Sequence, residues 1–499
     1  MLWLANLKKR SYIIHSLNPE QRKRQIMDVF NIEPRYGSLI IYSGQKPTLG
    51  LQAFAEYYRQ LTGCVYVTNE KQFYIYNRQN GLWEQQSPEK LISKISEEIF
   101  KLAQEEAIEG DFASMRRPAV IRDILLYLST LASVSGDFFK KRGIWIHCLN
   151  GVVEFENGRW VLKPFAADYH SRNRCNLVYD SSAPCPRFKE QLLAPLLENE
   201  DIDLLQKYFA QCLLGRNLTQ TIMLLTGSGG SGKGTLANIL ELIVGAANCM
   251  QIRPGCIGGR FETNSFIGKT LLTGKESQTS FFTTKGMGIL KSLVGDDALR
   301  VEFKHSNEQQ MIQGTYNVFI VGNAVPMLEF ESDDDISAWQ RRLRWIKCKN
   351  YKPEKPVDNF ANVLFDEEGS GILNWCLTGL SALLTAKSSR LPITDSQRIR
   401  LDFLFKQSFQ IKNILRAFLE PCQGSTLTTE EIYACYVDAA NKIGWQLIPK
   451  RRFEKELPEH MQTLFGLIRN RDIKRGTQSH QTNRSGYRNI RIKNLQKTV

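Results

Sequence analysis

The sequence has no uninterrupted apolar run of the roughly 18 residues that a membrane-spanning helix needs. Its first residues, MLWLANLKKR, place a short apolar run before the basic residues, the reverse of the order in a secretory signal peptide. Internal repeats and low-complexity tracts are also lacking, which excludes solenoids, propellers and other repeat architectures. These absences predict a soluble protein of the host cytoplasm that has no membrane partner.

Cysteine pairs of the CxxC type are also lacking. The 11 cysteines occur singly, without the regular spacing of a disulfide framework or a zinc knuckle. Cys175 and Cys185 come nearest to half a zinc site, but no second cysteine pair or histidine pair lies near them in the sequence. We therefore expect reduced, mostly buried thiols and no structural zinc.

Positive charge is plentiful and unevenly distributed. The chain of 499 residues has a net charge of +14, and Ala440 to Val499 alone hold 14 basic and four acidic residues. A concentrated basic end is typical of a contact with nucleic-acid phosphates. A solvated basic tail would have the same composition, so charge alone does not decide between the two.

The hydrophobic pattern divides the chain, whose length suits three or four domains, into four parts. Residues 1–60 receive no assignment. Residues 61–190 alternate apolar and polar positions around turns and include one helical stretch, which predicts a small α+β domain. Residues 191–388 alternate strands and helices, as an α/β nucleotide-binding domain does. Residues 389–499 are typical of helices followed by a basic hairpin, which predicts a winged-helix DNA-binding domain.

The segment TIMLLTGSGGSGKGTL carries the most specific motif. An apolar strand ends, a glycine-rich turn follows and a helix begins near Lys233, so the segment satisfies the GxxxxGK pattern of a phosphate-binding loop. Glycines let successive backbone N–H groups converge on phosphates, and the lysine neutralises the β- and γ-oxygens. The predicted ATP-binding residues are Gly227, Ser228, Gly229, Gly230, Ser231, Gly232, Lys233, Gly234 and Thr235.

The expected metal ligation departs from the usual pattern. Gly234 stands where a serine or threonine hydroxyl usually binds Mg²⁺, so we expect Thr235 to bind the metal together with Glu276. Glu276 follows the predicted strand at 270–274, where a carboxylate can orient the attacking water. Lys275 occupies the place of a second acid, and an ordinary exposed Lys-Glu pair would give the same pattern.

Three further segments carry candidate residues. The strand TYNVFIVGNAVP ends at Asn323, whose amide can bind the γ-phosphate or position water. SAWQRRLRW places Arg341 and Arg342 between a helix and a strand, where one guanidinium can stabilise the γ-phosphate charge in the next subunit. A predicted hairpin has Lys304 and His305 near its tip, within reach of DNA phosphates. Singly, each segment is also explained by an ordinary turn, a salt bridge or a solvated hairpin.

Taken in order, these motifs resemble those of superfamily 3 helicases. The series comprises the glycine-rich loop, Glu276, and the LKSLVGDD, GNAVP and WQRRL blocks, and the likeness is closest to the phage, plasmid and poxvirus-type primase-helicases. It extends upstream through LNGVVEFENGRW and downstream into the basic end, over roughly residues 60–499.

The resemblance implies an AAA+-like P-loop ATPase domain that assembles into a homo-hexameric ring. It implies that Lys233, Thr235 and Glu276 act in one subunit and that the neighbour supplies Arg341 or Arg342. Asn323 would be the sensor of the γ-phosphate, and Lys304 with His305 would grip DNA. In the basic C-terminal domain, the expected DNA contacts are Arg451, Arg452, Arg484 and Arg488.

The chain is therefore predicted to be an ATP- and Mg²⁺-dependent DNA helicase or translocase in the replication of a phage, plasmid or other mobile element. Only about 60 residues precede the likeness and they lack an acidic catalytic cluster, so we expect a separate primase or polymerase as partner. Two alternatives remain. One is a DNA-binding replication initiator that uses ATP as a switch and hydrolyses little; the other is a nucleotide kinase, because GKGT also resembles adenylate kinase loops.

Overall fold

The structure is a computed structural model, and most of the chain beyond residue 35 is described. The described residues are 36–43, 46–106, 108, 113–140, 143–252, 257, 262–275, 284–302, 309–323, 328, 333–386, 390–408, 410–445, 447–477 and 480–493.

Among its described residues, the first part of the chain combines small sheets with three α-helices. Strands β3 to β6 form a four-stranded sheet in the order β5-β4-β3-β6, and β7, β8 and β9 form a three-stranded meander. The elements are β1 (Ile40–Ser43), β2 (Lys46–Leu49), α1 (Leu51–Thr62), β3 (Val65–Val67), β4 (Gln72–Asn77), β5 (Leu82–Gln86), α2 (Pro88–Glu105), α3 (Pro118–Leu131), β6 (Ser133–Val134), β7 (Trp145–His147), β8 (Val152–Glu156) and β9 (Arg159–Lys163).

Local sequence explains these elements. Helix α2 begins where the Ser87 hydroxyl accepts a hydrogen bond from the backbone N–H of Lys90 at 3.2 Å, and proline occupies its first position. The predicted turn between β8 and β9 is present, with Asn157 and Gly158 both at positive φ. Apolar residues at helical spacing on α2 pack against α1 and α3 in one core that also includes Leu39 and Leu49.

The middle of the chain is built around a five-stranded parallel sheet in the order β11-β12-β15-β10-β16. A π-helical turn, Phe188–Leu193, leads into it. The elements are α4 (Ala194–Leu196), α5 (Asn199–Leu214), β10 (Ile222–Thr226), α6 (Lys233–Val244), β11 (Cys249–Gln251), β12 (Leu271–Gly274), α7 (Thr284–Val294), β13 (Ala298–Glu302), β14 (Gln309–Gln313), β15 (Asn317–Gly322), α8 (Asp333–Arg342), β16 (Leu343–Lys347) and α9 (Phe360–Ala386).

Strand β10 lies inside the sheet and every one of its residues is buried, as expected for a parallel sheet covered on both faces. Because successive side chains point to opposite faces, Met223 and Leu225 join the core formed with α5, α6 and α9. Ile222 and Leu224 join the second core on the other face, which includes Trp339. The predicted alternation of strands and helices is thus confirmed as a mixed α/β unit.

Helix α9 joins this unit to the meander. The indole Nε1 of Trp160 on β9 donates to the Ser381 hydroxyl at 2.9 Å, and residues 146–185 share one hydrophobic core with α5, α6 and α9. The Glu368 carboxylate accepts hydrogen bonds from the backbone N–H groups of Arg187 (2.9 Å) and Phe188 (2.8 Å). The segment that leads into the sheet is therefore fixed to α9 by both polar and apolar contacts.

Gly371 on α9 allows a close approach of this segment, because an added Cβ would lie 2.0 Å from the backbone oxygen of Pro184. We expect Gly371→Ala to lower the free energy of unfolding by about 2 kcal/mol, because the backbone must shift to relieve the overlap. Gly288 on α7 is the matched control, since no atom of the described residues lies within 4 Å of its added Cβ. Gly288→Ala should stabilise by about 0.8 kcal/mol through helix propensity. Thermal unfolding measures the stability of the two variants. Changes in melting temperature of the same sign for both would contradict a close contact at Gly371.

The C-terminal part alternates helices with one three-stranded antiparallel sheet in the order β17-β19-β18. The predicted helices and basic hairpin are present, whereas strand β17 was not predicted. Its sequence, LEPCQGSTLT, contains proline and glycine, which a strand tolerates here because β17 is an edge strand with a register shift. The elements are α10 (Asp395–Ser408), α11 (Gln410–Phe418), β17 (Leu419–Thr428), α12 (Thr429–Ile443), α13 (Lys450–Phe465), β18 (Asn470–Thr477) and β19 (His480–Ile492).

Within the described part of the chain, no helix combines the length and apolarity needed to cross a bilayer. No group of three or more His, Cys, Asp or Glu side chains among these residues is arranged to hold a metal ion. The described cysteines, including Cys175 and Cys185, are all free thiols.

Candidate functional site

The glycine-rich loop connects the carboxyl end of β10 to the amino end of α6. Gly230 (φ 76°) and Gly232 (φ 104°) adopt backbone conformations that other residues rarely reach. Gly227 is required for a different reason, since its added Cβ would lie 2.8 Å from the Cβ of Cys348, which follows β16. Burial raises the pKa of that thiol to about 12, so the contact is with a neutral group.

Lys233 is the first residue of α6, and its side chain turns back over the loop. It is 4 % exposed, and its ammonium donates to the Ser228 carbonyl oxygen at 2.5 Å and to the Ser231 hydroxyl at 3.3 Å. Burial lowers the pKa of this lysine, and no carboxylate among the residues that the structure describes forms an ion pair with it. The Ser228 hydroxyl is buried without a hydrogen-bond partner in the described part of the chain. An uncompensated cation beside an unused hydroxyl suits an anionic ligand.

A cavity of about 860 Å³ opens over this loop at the carboxyl edge of the parallel sheet. Thr235, Lys275 and Asn323 line it, each from a different element, together with the segment at 351–360. Its volume falls within the range of about 300–1,000 Å³ that is typical of small-molecule sites. The loop residues Gly229 and Gly230 have open space where a side chain would project, so the backbone is accessible to a ligand. These residues could hold a triphosphate, and the Thr235 hydroxyl would offer one oxygen to a metal ion bound with it.

Lys275 has a partner that the sequence did not reveal. Its ammonium donates to Glu241 Oε2 at 2.6 Å and to Asn238 Oδ1 at 2.7 Å, and the Thr273 hydroxyl donates to Glu241 Oε1 at 2.6 Å. Glu241 and Asn238 lie on α6, so this cluster joins the helix after the loop to the end of β12. Glu276, the predicted water-orienting carboxylate, lies outside the described residues.

The Lys275–Glu241 pair is half-buried, with both side chains about a quarter exposed (28 % and 26 %). We expect Glu241→Gln to lower the free energy of unfolding by about 1.5 kcal/mol, because charge-assisted hydrogen bonds to Lys275 and Thr273 are weakened. Glu97, which pairs with Lys101 at 3.0 Å on the exposed face of α2, is the matched control. Glu97→Gln should change stability by less than about 0.5 kcal/mol. Denaturant titration measures both variants, and equal changes would show that the pair is no more than a surface contact.

The two predicted arginines lie at the opposite edge of the sheet from the loop. They end helix α8, and the next residue, Leu343, pairs with Ile222 at the start of β10. A five-residue strand separates that point from the loop by roughly 16 Å, so neither arginine approaches the loop of its own chain. Arg342 is half-buried and donates to the Ala338 carbonyl oxygen at 3.2 Å. Arg341 is exposed.

The predicted hairpin is present as β13 and β14, which pair in antiparallel register from Ala298 with Gln313 to Glu302 with Gln309. Arg300 is exposed and Val301 is buried, as the predicted alternation requires. Lys304 and His305 lie outside the described residues, so their role in gripping DNA stays a prediction.

The four predicted DNA-contacting arginines of the C-terminal part lie on two elements. Arg451 is exposed in the first turn of α13, and Arg452 donates to Glu456 at 2.6 Å on the same helix. Arg484 and Arg488 lie on β19, and both are about half exposed. Arg488 pairs with Asp472 at 2.6 Å, while Arg484 lies 3.8 Å from Glu430. Exposed ion pairs of this kind are weak and can exchange a carboxylate for a phosphate.

Comparison with known proteins gives two family matches. A model described as D5 N terminal like matches residues 52–193, and a family of unknown function, DUF5906, matches residues 225–342. Both are typical of phage and plasmid primase-helicase proteins, so the chain is related in these regions to replication proteins of that kind. The second match extends from β10 to the end of α8 and thus contains the glycine-rich loop, Asn323 and the arginine pair. No curated protein matches the chain.

Three solved structures of the C-terminal region of NrS-1, all in apo form, are similar to this chain. The first is 12% identical and covers 82% of this chain and 84% of its own, with a TM-score of 0.44. The second is 13% identical, and the match covers 85% of this chain and 95% of the solved one, with a TM-score of 0.44. The third is 12% identical, and the match covers 85% of this chain and 96% of the solved one, with a TM-score of 0.41.

Proposed function

We propose that this protein is an ATP-driven DNA translocase of the superfamily 3 helicase type that acts in the replication of a phage, plasmid or related element. The observation that carries the proposal is the arrangement around the glycine-rich loop. The buried Lys233, the Thr235 hydroxyl and the Asn323 amide converge on one cavity at the carboxyl edge of a parallel sheet. Ligands of open α/β sheets bind at that edge.

Mg²⁺-bound ATP, when present, supplies the phosphoryl group to be transferred and a divalent charge. The backbone N–H groups of the loop hold its phosphates, and Lys233 exchanges the Ser228 carbonyl oxygen for a phosphate oxygen, which restores the favourable environment of the ammonium. Thr235 offers its hydroxyl to the metal, and Asn323 orients the attacking water. Glu276 would accept the proton from that water as its oxygen bonds to the γ-phosphorus and the bond to the β–γ bridging oxygen breaks, so that ADP and phosphate are the products.

The strand order supports an AAA+-like architecture for this unit. The strand that carries the loop, β10, lies between β15, which ends at Asn323, and β16, which follows the arginines. One edge of the sheet therefore presents the nucleotide site and the other presents the arginines. Because roughly 16 Å separates the two edges, an arginine completes a site only in another copy of the chain. We therefore infer a head-to-tail ring, with six subunits by resemblance.

Arg341 is the better candidate for this arginine finger. Its side chain is exposed and makes no hydrogen bond or ion pair within the described part of the chain. Arg342 is half-buried and is engaged by the backbone of its own helix. A finger must reach out of its subunit, so the exposed guanidinium suits the role and the engaged one stabilises the end of α8.

The C-terminal part supports a winged-helix DNA contact. The order α11, β17, α12, α13, β18, β19 supports a winged helix in which α13 is the recognition helix and the β18–β19 hairpin is the wing. Arg451 and Arg452 lie in the first turn of α13, where a recognition helix meets base edges and phosphates. Arg484 and Arg488 lie on the wing. Lys304 and His305 would provide a further contact at the tip of the β13–β14 hairpin.

Steady-state phosphate release, with and without single-stranded DNA, tests the proposal. The purified chain should hydrolyse ATP, and single-stranded DNA should accelerate hydrolysis because translocation couples the two. ATP hydrolysis that single-stranded DNA leaves unchanged would overturn the translocase assignment while retaining the ATPase.

One observation favours a second candidate, a replication initiator that binds ATP as a switch. Lys275 stands where a second acid is often found, and it pairs with Glu241, so this position offers no carboxylate to the cavity. A Glu276→Gln variant separates the two functions. Full replication activity of that variant favours the switch, whereas loss of replication with retained DNA binding favours the motor.

A further inference from the structure

A second large cavity lies at the amino-terminal edge of the same parallel sheet. It has a volume of about 990 Å³ and is lined by the residues that precede β10, β12, β15 and β16, among them Gln220, Thr270, Tyr316 and Arg342. The loop after β9 and the start of β7 form its opposite wall. It is thus separated from the nucleotide cavity by the length of the strands, and cofactors of parallel sheets bind at the other edge.

The walls of this cavity are fixed to each other. The Asn173 side chain on the meander side donates to the Gly268 carbonyl oxygen at 3.0 Å, and Asn248 donates to the carbonyl oxygen of Arg174 at 3.3 Å. Gly245 permits this approach, because its added Cβ would lie 2.6 Å from the same Arg174 oxygen. The cavity is therefore built into the contact between the two units.

Its charge is strongly positive. Eight arginines and lysines line it, against three carboxylates. The carboxylates already have partners: Glu70 accepts from Arg172 at 2.5 Å, Asp137 from the Ser135 hydroxyl at 2.5 Å and Asp296 from the Gln313 amide at 2.9 Å. Eight basic residues against three acidic ones leave the lining with an excess of five positive charges.

Arg174 and Lys269 illustrate this excess. Neither forms an ion pair with any residue that the structure describes, and the ammonium of Lys269 donates only to the Ala247 carbonyl oxygen, at 2.9 Å. They lie on opposite walls, Arg174 on the loop after β9 and Lys269 on the loop before β12. Two cations facing one space repel each other unless an anion lies between them.

Aromatic side chains accompany the cations. Trp145 and Tyr169 line the same cavity, with ring centroids 5.4 Å apart, and both are half-buried. The Tyr169 hydroxyl donates to Glu154 at 3.0 Å, which fixes the ring. Basic side chains next to aromatic faces are the combination that single-stranded nucleic acids require, since phosphates and unstacked bases must both be accommodated.

We propose that this basic cavity binds single-stranded nucleic acid, with Arg174 and Lys269 contacting its phosphates and Trp145 with Tyr169 contacting its bases. This goes beyond the proposed function, which assigns DNA contacts only to the β13–β14 hairpin and the C-terminal part. A linear strand fits better than a mononucleotide, because cations lie before three of the five strands, β10, β12 and β16, rather than around one point. The contact needs neither ATP nor the glycine-rich loop.

Fluorescence anisotropy without nucleotide tests the proposal on the full chain. Labelled oligo-dT and oligo-U of about 20 nucleotides are the single-stranded probes, and a duplex of the same length is the reference. The double variant Arg174→Gln, Lys269→Gln removes the two cations. The matched control, Lys90→Gln with Lys101→Gln, removes the same charge from the exposed face of α2. Since no ATP is added, failure of the ATPase proposal would leave this assay unaffected.

The double variant should bind single strands on the order of tenfold more weakly, and the slope of log affinity against log salt should fall by about 1.4, or about 0.7 per lost phosphate contact. Duplex binding and the control should match the wild type. Weaker binding of both oligo-dT and oligo-U indicates a site that accepts DNA and RNA. Weaker binding of oligo-dT alone indicates a site for DNA. The single variant Lys269→Gln, with about half the slope change, replaces the double variant if the latter unfolds. Unchanged single-strand binding, or an equal loss for duplex and single strands, would overturn the proposal.

Discussion

Lys233→Ala is expected to lower the rate of ATP hydrolysis by at least about 100-fold, because removal of one preorganised charge-stabilising group costs roughly 3–4 kcal/mol in the transition state. The Lys233 ammonium donates to the loop carbonyl oxygen of Ser228 at 2.5 Å, and its side chain is buried. Steady-state phosphate release with saturating single-stranded DNA measures the effect.

Lys349→Ala is the control for this substitution. Lys349 lies two residues beyond β16 at the same sheet edge, but its ammonium donates to the Ala194 carbonyl oxygen at 3.2 Å and it does not line the cavity. This variant should hydrolyse ATP at the wild-type rate. Equal losses of ATP hydrolysis in the two variants would mean that Lys233 acts through folding rather than through contact with the phosphates. An unchanged rate in Lys233→Ala would mean that the nucleotide binds elsewhere.

Arg341→Ala is expected to lower ATP hydrolysis by about 1,000-fold, the lower end of what an arginine finger contributes. The exposed position of Arg341 at the edge away from the loop requires that this contribution be made to another subunit. ATP binding by each chain should be unchanged, since the loop and Lys233 are intact. Phosphate release and binding of a fluorescent ATP analogue separate the two effects.

Arg342→Ala is the neighbouring control. Arg342 donates to the Ala338 carbonyl oxygen of its own helix, so its loss should mainly lower the free energy of unfolding, by about 1 kcal/mol. A larger loss of hydrolysis in Arg342→Ala than in Arg341→Ala would exchange the two roles. Wild-type hydrolysis in both variants would contradict the presence of a finger at the end of α8.

Features set by local sequence could be predicted, because they depend on neighbouring residues. The strand, glycine turn and helix from Ile222 to Val244 form as the motif indicates, since apolar periodicity and glycine placement determine them. The Arg341-Arg342 pair also lies at the predicted junction of helix and strand. The β13–β14 hairpin follows from alternation of polar and apolar residues.

Features set by tertiary packing could not be predicted. The pairing of Lys275 with Glu241 depends on α6 packing beside the end of β12, which no spacing in the sequence indicates. Strand β17 owes its existence to pairing with β19, whose paired residues lie 58 to 73 positions later in the chain. This pairing compensates for the poor strand propensity of Pro421 and Gly424. The basic cavity is assembled from five or more separate segments, so its charge excess is invisible in the linear sequence.

Mixing two inactive variants tests the central claim most directly, namely that one chain binds ATP and its neighbour completes the site. Lys233→Ala subunits retain Arg341, and Arg341→Ala subunits retain Lys233, so a ring with both types contains some intact sites. With random assembly of equal amounts, hydrolysis should recover to about one quarter of the wild-type rate in the presence of single-stranded DNA. A mixture as inactive as its components, under conditions in which the two variants co-assemble, would contradict a shared site.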